Sequence, residues 1–185
     1  MPPSITVADA QLELVRGDIT AQGDLDAVVN AANAQLQTGG GVAGAIHRAA
    51  GRRLARACRP LAPISPGEVV ATDAFDLPNR RVLHALGPVF GRDEPAAELL
   101  AACYRNALVL VGEEGLTSVG FPAISTGAFG YPLAEAAEVA LCTVHEVLAR
   151  AAQREGWPVR LVRFVLFSEG DLEAHARVLA TLPAS

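Results

Sequence analysis

"NAANAQLQTGGGVAGAIHRAAG" runs from Asn30 to Gly51. It closes an apolar, strand-like run, crosses three consecutive glycines and enters a helix-like segment. Reading it as a strand-to-helix turn decides the fold class, and the glycines decide what the turn can hold. Gly39, Gly41 and Gly44 match the letters of a G-x-G-x-x-G dinucleotide fingerprint. A Rossmann turn, however, places its first glycine directly after the strand and an acidic ribose-binding residue about 20 positions later. Here "AQLQT" intervenes, and Arg59, Pro60 and Leu61 stand near that offset. A P-loop fails as well, because Ala45-Ile46 replaces its Lys-Ser/Thr. What remains is a general property of the backbone. Glycine lets N–H groups approach an anion closely, and a helix N-terminus behind them adds unpaired donors and a favourable dipole. The three glycines read either as half of an anion cradle or as a mobile turn.

Outward from this turn, strand-like and helix-like segments alternate without a long linker or repeat. Leu12–Arg16 and Leu25–Ala31 read as strands, and apolar positions from Val42 to Cys58 keep a helical period that predicts one continuous helix. "GEVVATDAF" and "RRVLHALG" read as short strands around the turn "DLPNR". A helix is expected over Glu94–Val111, and "TSVGFPAI" reads as a buried strand running to Ile124. Pro132 suits the first turn of a helix to Ala151. "VRLVRFVLF" is a last strand, and Asp171–Leu182 a last helix. This alternation predicts an α/β fold with helices on both faces of a sheet, and ligands in such folds bind beyond the carboxyl ends of the strands. The loops after Arg16, Val29, Ile124 and Phe167 lie at such ends and carry nearly all the unusual residues.

Composition narrows the function classes. A length of 185 residues suggests one domain over 1–185, with 51% apolar and 19% charged residues. No apolar run approaches the ~18 residues of a membrane span, and the N-terminus lacks the pattern of a secretory signal, so a cytoplasmic protein without a membrane partner is expected. A net charge of -5 and an aromatic content of 5% argue against nucleic-acid binding. The local basic run "RRLARACR" is read as a solvated face, with Arg52, Arg53, Arg56 and Arg59 in water. Cys58, Cys103 and Cys142 form no C-x-x-C pair and are expected to be buried, reduced thiols. His47, His84, His145 and His175 have no ligand-spaced partner, so no metal is expected. His84, in a strand, reads as a buried structural histidine.

The second glycine-rich loop, "AISTGAFGYP", also precedes a helix. Facing the first loop across one crevice, it would grip two linked phosphates: Ser125 by its hydroxyl, Gly127 and Ala128 by their amides, with Phe129 against a sugar. Taken alone it reads equally as a connector with Phe129 in the core. Asp18, in "RGDIT", either accepts from an exocyclic amine or caps the turn through Ile19 and Thr20. Asn30 and Asn33 read as turn formers or as carboxamides for sugar hydroxyls.

Together, "GDIT", "DAVVNAAN", "GGGVAGAIHRAAG" and "AISTGAFGYP" resemble the macrodomain signature in order and spacing, and "LPNRRVLHALGP" and "VLFSEGDLEAH" extend the similarity over essentially the whole chain. Within that family the chain is most similar to the MacroD-type ADP-ribose hydrolases. The resemblance implies a three-layer α/β/α sandwich with a mixed central sheet, an ADP-ribose cleft and no cofactor. It implies that Asp18 and Ile19 hold the adenine, against which Phe167 packs. Gly40, Gly41 and Val42 would line one side of the diphosphate, and Ser125, Thr126, Gly127, Ala128 and Phe129 the other. Asn33 would address the distal ribose, as the catalytic candidate. The partner would be ADP-ribose or an ADP-ribosylated protein. One departure bears on activity: the family's "GGVDG" is "GGVAG" here, so Ala43 stands where an aspartate would act. Two expectations follow, a weak or substrate-assisted hydrolase of ADP-ribosyl esters, or a non-catalytic ADP-ribose reader.

Overall fold

The computed structural model describes residues 1–184. Among these residues, seven strands make one sheet: β1 (Ser4–Val7), β2 (Ala10–Arg16), β3 (Ala27–Ala31), β4 (Val69–Asp73), β5 (Arg81–Ala85), β6 (Ser118–Phe121) and β7 (Leu161–Leu166). Five α-helices accompany them: α1 (Gly41–Ala50), α2 (Arg52–Cys58), α3 (Ala96–Glu113), α4 (Leu133–Ala151) and α5 (Glu169–Leu179). The spatial order is β1-β2-β7-β6-β3-β5-β4. From β2 to β5 all neighbours are parallel, while β1 and β4 pair antiparallel at the two edges. The sheet is mixed, as expected.

Parallel strands must be covered on both faces, and the side chains here alternate accordingly. Val29, Leu83 and Phe164 face a core shared with Leu100, Tyr104 and Leu108 of α3 and Leu141 of α4. Val28, Val82 and Val165 face the other way, against Ile46 of α1 and Leu54 and Cys58 of α2. The result is three layers, with α1 and α2 on one side and α3, α4 and α5 on the other. Among the described residues, no helix is long and apolar enough to cross a membrane.

The structure corrects several sequence expectations. β1 is an addition to the expected strands: Ser4-Ile5-Thr6-Val7 alternates polar and apolar residues, but a run of four is too short to stand out as a strand. The helix expected from Val42 to Cys58 is two helices, broken at Gly51, whose φ of +81° no α-helix accommodates. β6 stops at Phe121, since Pro122 has no N–H for the ladder. Pro132 is the N-cap of α4 rather than its first residue. α5 begins at Glu169 because Ser168 and Asp171 cap it reciprocally: the Asp171 N–H donates to Ser168 Oγ at 3.1 Å, and the Ser168 N–H to the Asp171 carboxylate at 3.1 Å. Cys58 and Cys103 are buried, but Cys142 is exposed, since Leu141, Val144 and Leu148 occupy the inner face of α4. Arg52, Arg53, Arg56 and Arg59 are exposed as expected.

Beneath α1 and α2 lies a small polar cluster in an apolar setting. His84 of β5 is fully buried, with Nδ1 3.1 Å from Asn30 Nδ2 and Nε2 3.0 Å from Thr72 Oγ1. Burial, and secondarily the nearby His47, push the His84 imidazole down from 6.5 to about 4. His47 and His175 are displaced downward too, chiefly by burial. A depressed histidine has no effect where both states are neutral. As pH falls from 6.5 towards 4, the unfolded chain takes up a proton that the folded His84 refuses, so stability is lost across that window. Denaturant titrations through this range should show unfolding free energy falling with pH, with His84 contributing up to about 1.4 kcal/mol per pH unit. A His84→Gln variant should show a shallower slope; an identical slope would contradict the assignment.

Candidate functional site

The strand ends foreseen from the sequence open onto one cleft of about 710 Å³, within the range of small-molecule sites. All but one of the residues singled out as site candidates line it: Asp18 and Ile19 after β2, Asn33 and Gly40 between β3 and α1, Gly41 and Val42 at the start of α1, Ser125 to Phe129 after β6, and Phe167 after β7. Asn30 does not. It is 1% exposed within β3, and its carboxamide meets His84.

One wall is the start of α1. The Gly44 N–H donates to Gly40 O at 3.3 Å, closing the first helical turn, so the amides of Gly41, Val42 and Ala43 have no partner within the helix. Gly40, the N-cap, offers no side chain to satisfy them. The donors therefore face the cleft, at the positive end of the helix dipole.

The opposite wall is the loop from Pro122 to Tyr131, braced from within and below. The buried Tyr104 hydroxyl accepts from the Ile124 N–H at 3.2 Å and donates to Pro122 O at 3.4 Å. The Thr126 hydroxyl donates to Ala123 O, and the Tyr131 N–H to Ser125 O, both at 2.9 Å. The Gly130 N–H donates to Gly127 O at 3.0 Å. None of these bonds uses the amide of Ser125, Gly127, Ala128 or Phe129. Ser125 holds a left-handed conformation, φ +67°, which costs a side-chain-bearing residue of order 1 kcal/mol or more. Its hydroxyl is buried and has no partner. Phe129 is half-buried against the α1/α2 core, so its connector role and its place in the cleft coexist.

The two ends of the cleft differ in chemistry. At the β2/β7 end, Asp18 caps a short 3₁₀ turn, Ile19–Ala21. Its Oδ1 accepts from the Thr20 hydroxyl at 2.7 Å and the Thr20 N–H at 2.8 Å. Those bonds, the hydroxyl first, hold the carboxyl below its usual range and leave Oδ2 open. Phe167 beside it is 87% exposed, a large apolar ring left in water at the edge of the cleft.

Towards the other end, the Asn33 carboxamide clasps the next turn. Its Nδ2 donates to Gln37 O at 2.8 Å, and its Oδ1 accepts from the Gln37 N–H at 3.0 Å. One amide hydrogen and one lone pair stay free. A Cβ placed on Gly39 would lie 3.5 Å from Asn33 Nδ2 and 3.9 Å from Ala43 Cβ, so Asn33 and Ala43 flank the same glycine. The Ala43 methyl supplies neither a donor nor an acceptor. Among the described residues, no group of three or more His, Cys, Asp or Glu side chains is arranged to hold a metal ion.

Sequence reasoning missed Arg48 and Asp171, which line the cleft, and Tyr104 and Gly87, which shape it from behind. Arg48 lies one turn after Gly44 and was legible as a helix-face neighbour of the glycine loop. Tyr104 and Gly87 gave no local signal.

A family model described as "Macro domain" matches residues 29–140. An O-acetyl-ADP-ribose deacetylase of Klebsiella pneumoniae is 45% identical over 94% of this chain and 98% of its own. The Oceanobacillus iheyensis macrodomain, solved with ADP, superimposes with a TM-score of 0.90 at 43% identity, covering 96% of this chain and 94% of that one. A Trypanosoma brucei macrodomain in complex with ADP-ribose gives a TM-score of 0.80 at 39% identity, covering 90% of this chain and 68% of that one.

The support behind the second wall can be tested directly. A Cβ at Gly87 would fall inside the Ser125 hydroxyl and only 2.6 Å from Ile124 Cγ2, with the strained loop above it. Gly87→Ala should destabilise the fold by about 1–3 kcal/mol in denaturant unfolding, the usual cost of overpacking. Wild-type stability in this variant would contradict the close approach.

Proposed function

The chain belongs to the macrodomain family, and from that premise we propose that it binds ADP-ribose in this cleft and hydrolyses ADP-ribosyl esters, either of mono-ADP-ribosylated Asp and Glu or of O-acetyl-ADP-ribose. The observation that carries the binding is the facing pair of unbonded amide sets, at the start of α1 and in the 125–129 loop. A diphosphate carries the charge and the acceptor oxygens to satisfy both walls at once. Residues 1–185 act as one macrodomain, and the free thiols fit a reducing, cytoplasmic setting.

In this reading Asp18 takes the adenine amino group on its open Oδ2, with the Ile19 amide beside it, and the Phe167 ring packs on the base. Gly40, Gly41 and Val42 hold the diphosphate from one side. Ser125, Thr126, Gly127, Ala128 and Phe129 hold it from the other. Asn33, through its free hydrogen and lone pair, orients the distal ribose, whose ester is cleaved. Water adds to the ester carbonyl carbon, and the bond from that carbon to the ribose oxygen breaks. One water proton passes to the ribose hydroxyl, the other to solvent, and a carboxylate leaves. Ala43 cannot take the first proton, so positioning by Asn33 and the substrate's own phosphate must suffice. An ester to a carboxylic acid is reactive enough for positioning and charge stabilisation to contribute much of the rate.

Ala43 also favours a second reading, a reader that binds ADP-ribose without turnover. A missing general base costs typically ~10²–10⁴ in rate. Release of ADP-ribose from a Glu-linked mono-ADP-ribosylated protein separates the two. The expected result is slow release above the buffer rate; none, with ADP-ribose bound tightly, would leave only the reader. Ala43→Asp should raise the rate by ~10² or more, and an unchanged or lower rate would contradict the role given to this position.

A further inference from the structure

Behind the second wall of the cleft, α3 bonds to two different segments through consecutive buried side chains, Cys103 and Tyr104. The Cys103 thiol donates to Leu86 O at 3.2 Å, just past the end of β5, and the same carbonyl accepts from the Gly67 N–H at 2.8 Å. The Tyr104 hydroxyl bridges the end of β6, between Pro122 O at 3.4 Å and the Ile124 N–H at 3.2 Å. Its ring is fixed by Phe121 and Phe164, whose centres lie 5.1 and 5.7 Å away. Burial pushes the Cys103 thiol up to about 12 and the Tyr104 phenol well above its ordinary value, so both stay protonated donors at neutral pH.

Where the two segments meet, the fit is tight. Gly87 follows Leu86 and Ser125 follows Ile124, and a Cβ on Gly87 would fall 2.1 Å from Ser125 Oγ. Ser125 stands at φ +67° with its hydroxyl buried and unpartnered, so its side chain makes no bond that would hold it there. A residue with a Cβ keeps such a conformation only where its surroundings impose it. The far end of the loop is tied as well. The Phe90 N–H donates to Phe129 O at 2.9 Å, and the Phe90 and Tyr131 rings pack with centres 4.9 Å apart. Between these two ties stand the unbonded amides of the wall.

We propose that Tyr104, assisted by Cys103, is a positioning residue for the diphosphate: its hydroxyl holds Ser125 in the left-handed conformation that turns the 125–129 amides into the cleft. Tyr104 itself does not line the cleft, and the proposal rests on reading that cleft as an ADP-ribose site. Without the hydroxyl, the Ile124 N–H and Pro122 O are left buried and unpaired, and they regain partners only if the segment moves. Rotation of Ser125 to negative φ then relieves its strain and carries the amides that follow away from the phosphates. The base end, around Asp18 and Phe167, shares none of these hydrogen bonds. Affinity for the diphosphate is therefore set by α3 separately from affinity for the base.

The test uses Tyr104→Phe, which removes one oxygen, and Cys103→Ala, which removes the thiol. Leu108→Val is the control: it thins the buried face of α3 one turn further on and takes no bond from either segment. Affinities for ADP-ribose and for adenosine are measured by NMR titration, alongside thermal unfolding. Tyr104→Phe should bind ADP-ribose about tenfold more weakly and adenosine as the wild type does. Cys103→Ala should show the same split at about threefold. The control should lose stability and keep both affinities. With no ligand present, the Ile124 and Tyr131 amides should exchange with deuterium about tenfold faster in Tyr104→Phe than in wild type. Unchanged ADP-ribose affinity in Tyr104→Phe, an equal fall for adenosine, or unchanged amide exchange overturns the proposal. So does a control that loses ADP-ribose affinity as Tyr104→Phe does. Wild type that fails to bind ADP-ribose sinks the reading of the cleft instead, and the exchange comparison keeps that result separate.

Discussion

A helix leaves its first amides without partners, and here those of Gly41, Val42 and Ala43 open onto a cleft whose far wall presents more unbonded amides from Ser125 to Phe129. Backbone donors left this way need an acceptor from outside the chain or from water. The rest of the site serves to hold the two sets facing one another. Parallel β3 and β6 are hydrogen-bonded neighbours, so the loops leaving their carboxyl ends lie side by side. Tyr104 anchors one loop from below, and Gly87 yields the space that Ser125 needs. Function follows from a backbone arrangement more than from any one reactive side chain.

This distribution separates binding from chemistry. Amides need no particular side chain beyond the small residues that keep the approach open, so replacing an acid by Ala43 leaves the grip on an anion intact. Catalysis depends on side chains, and the distal end offers Asn33, half engaged with Gln37, and Arg48 near the rim. The same cleft is consistent with tight binding and slow turnover.

Much of this was legible in the sequence because the determinants are local. Three glycines before a helix, a second glycine loop before another and the alternation of strand and helix patterns placed the cleft at the strand ends. What was hidden depends on contacts distant in sequence. Gly87 is defined by Ser125, and Tyr104 by Ile124, which no periodicity reports. Asn30, one possible sugar ligand by residue type, is buried within β3 beneath α1 and α2, where its register with β5 sets it beside His84. The Gly51 break was masked by apolar spacing that remains helical across it. Cys142 follows its helix face rather than the general preference of cysteine for the interior.

The central claim is that the two amide sets recognise the diphosphate of ADP-ribose, with the distal ribose at the end of the cleft rather than in the middle of a longer dinucleotide. Calorimetric titration with ADP-ribose and with NAD, side by side, tests it most directly. ADP-ribose should bind at one site per chain and more tightly than NAD, which must carry a further ring past Asn33 and Ala43. NAD binding preferred over ADP-ribose, or no binding of ADP-ribose, would contradict it.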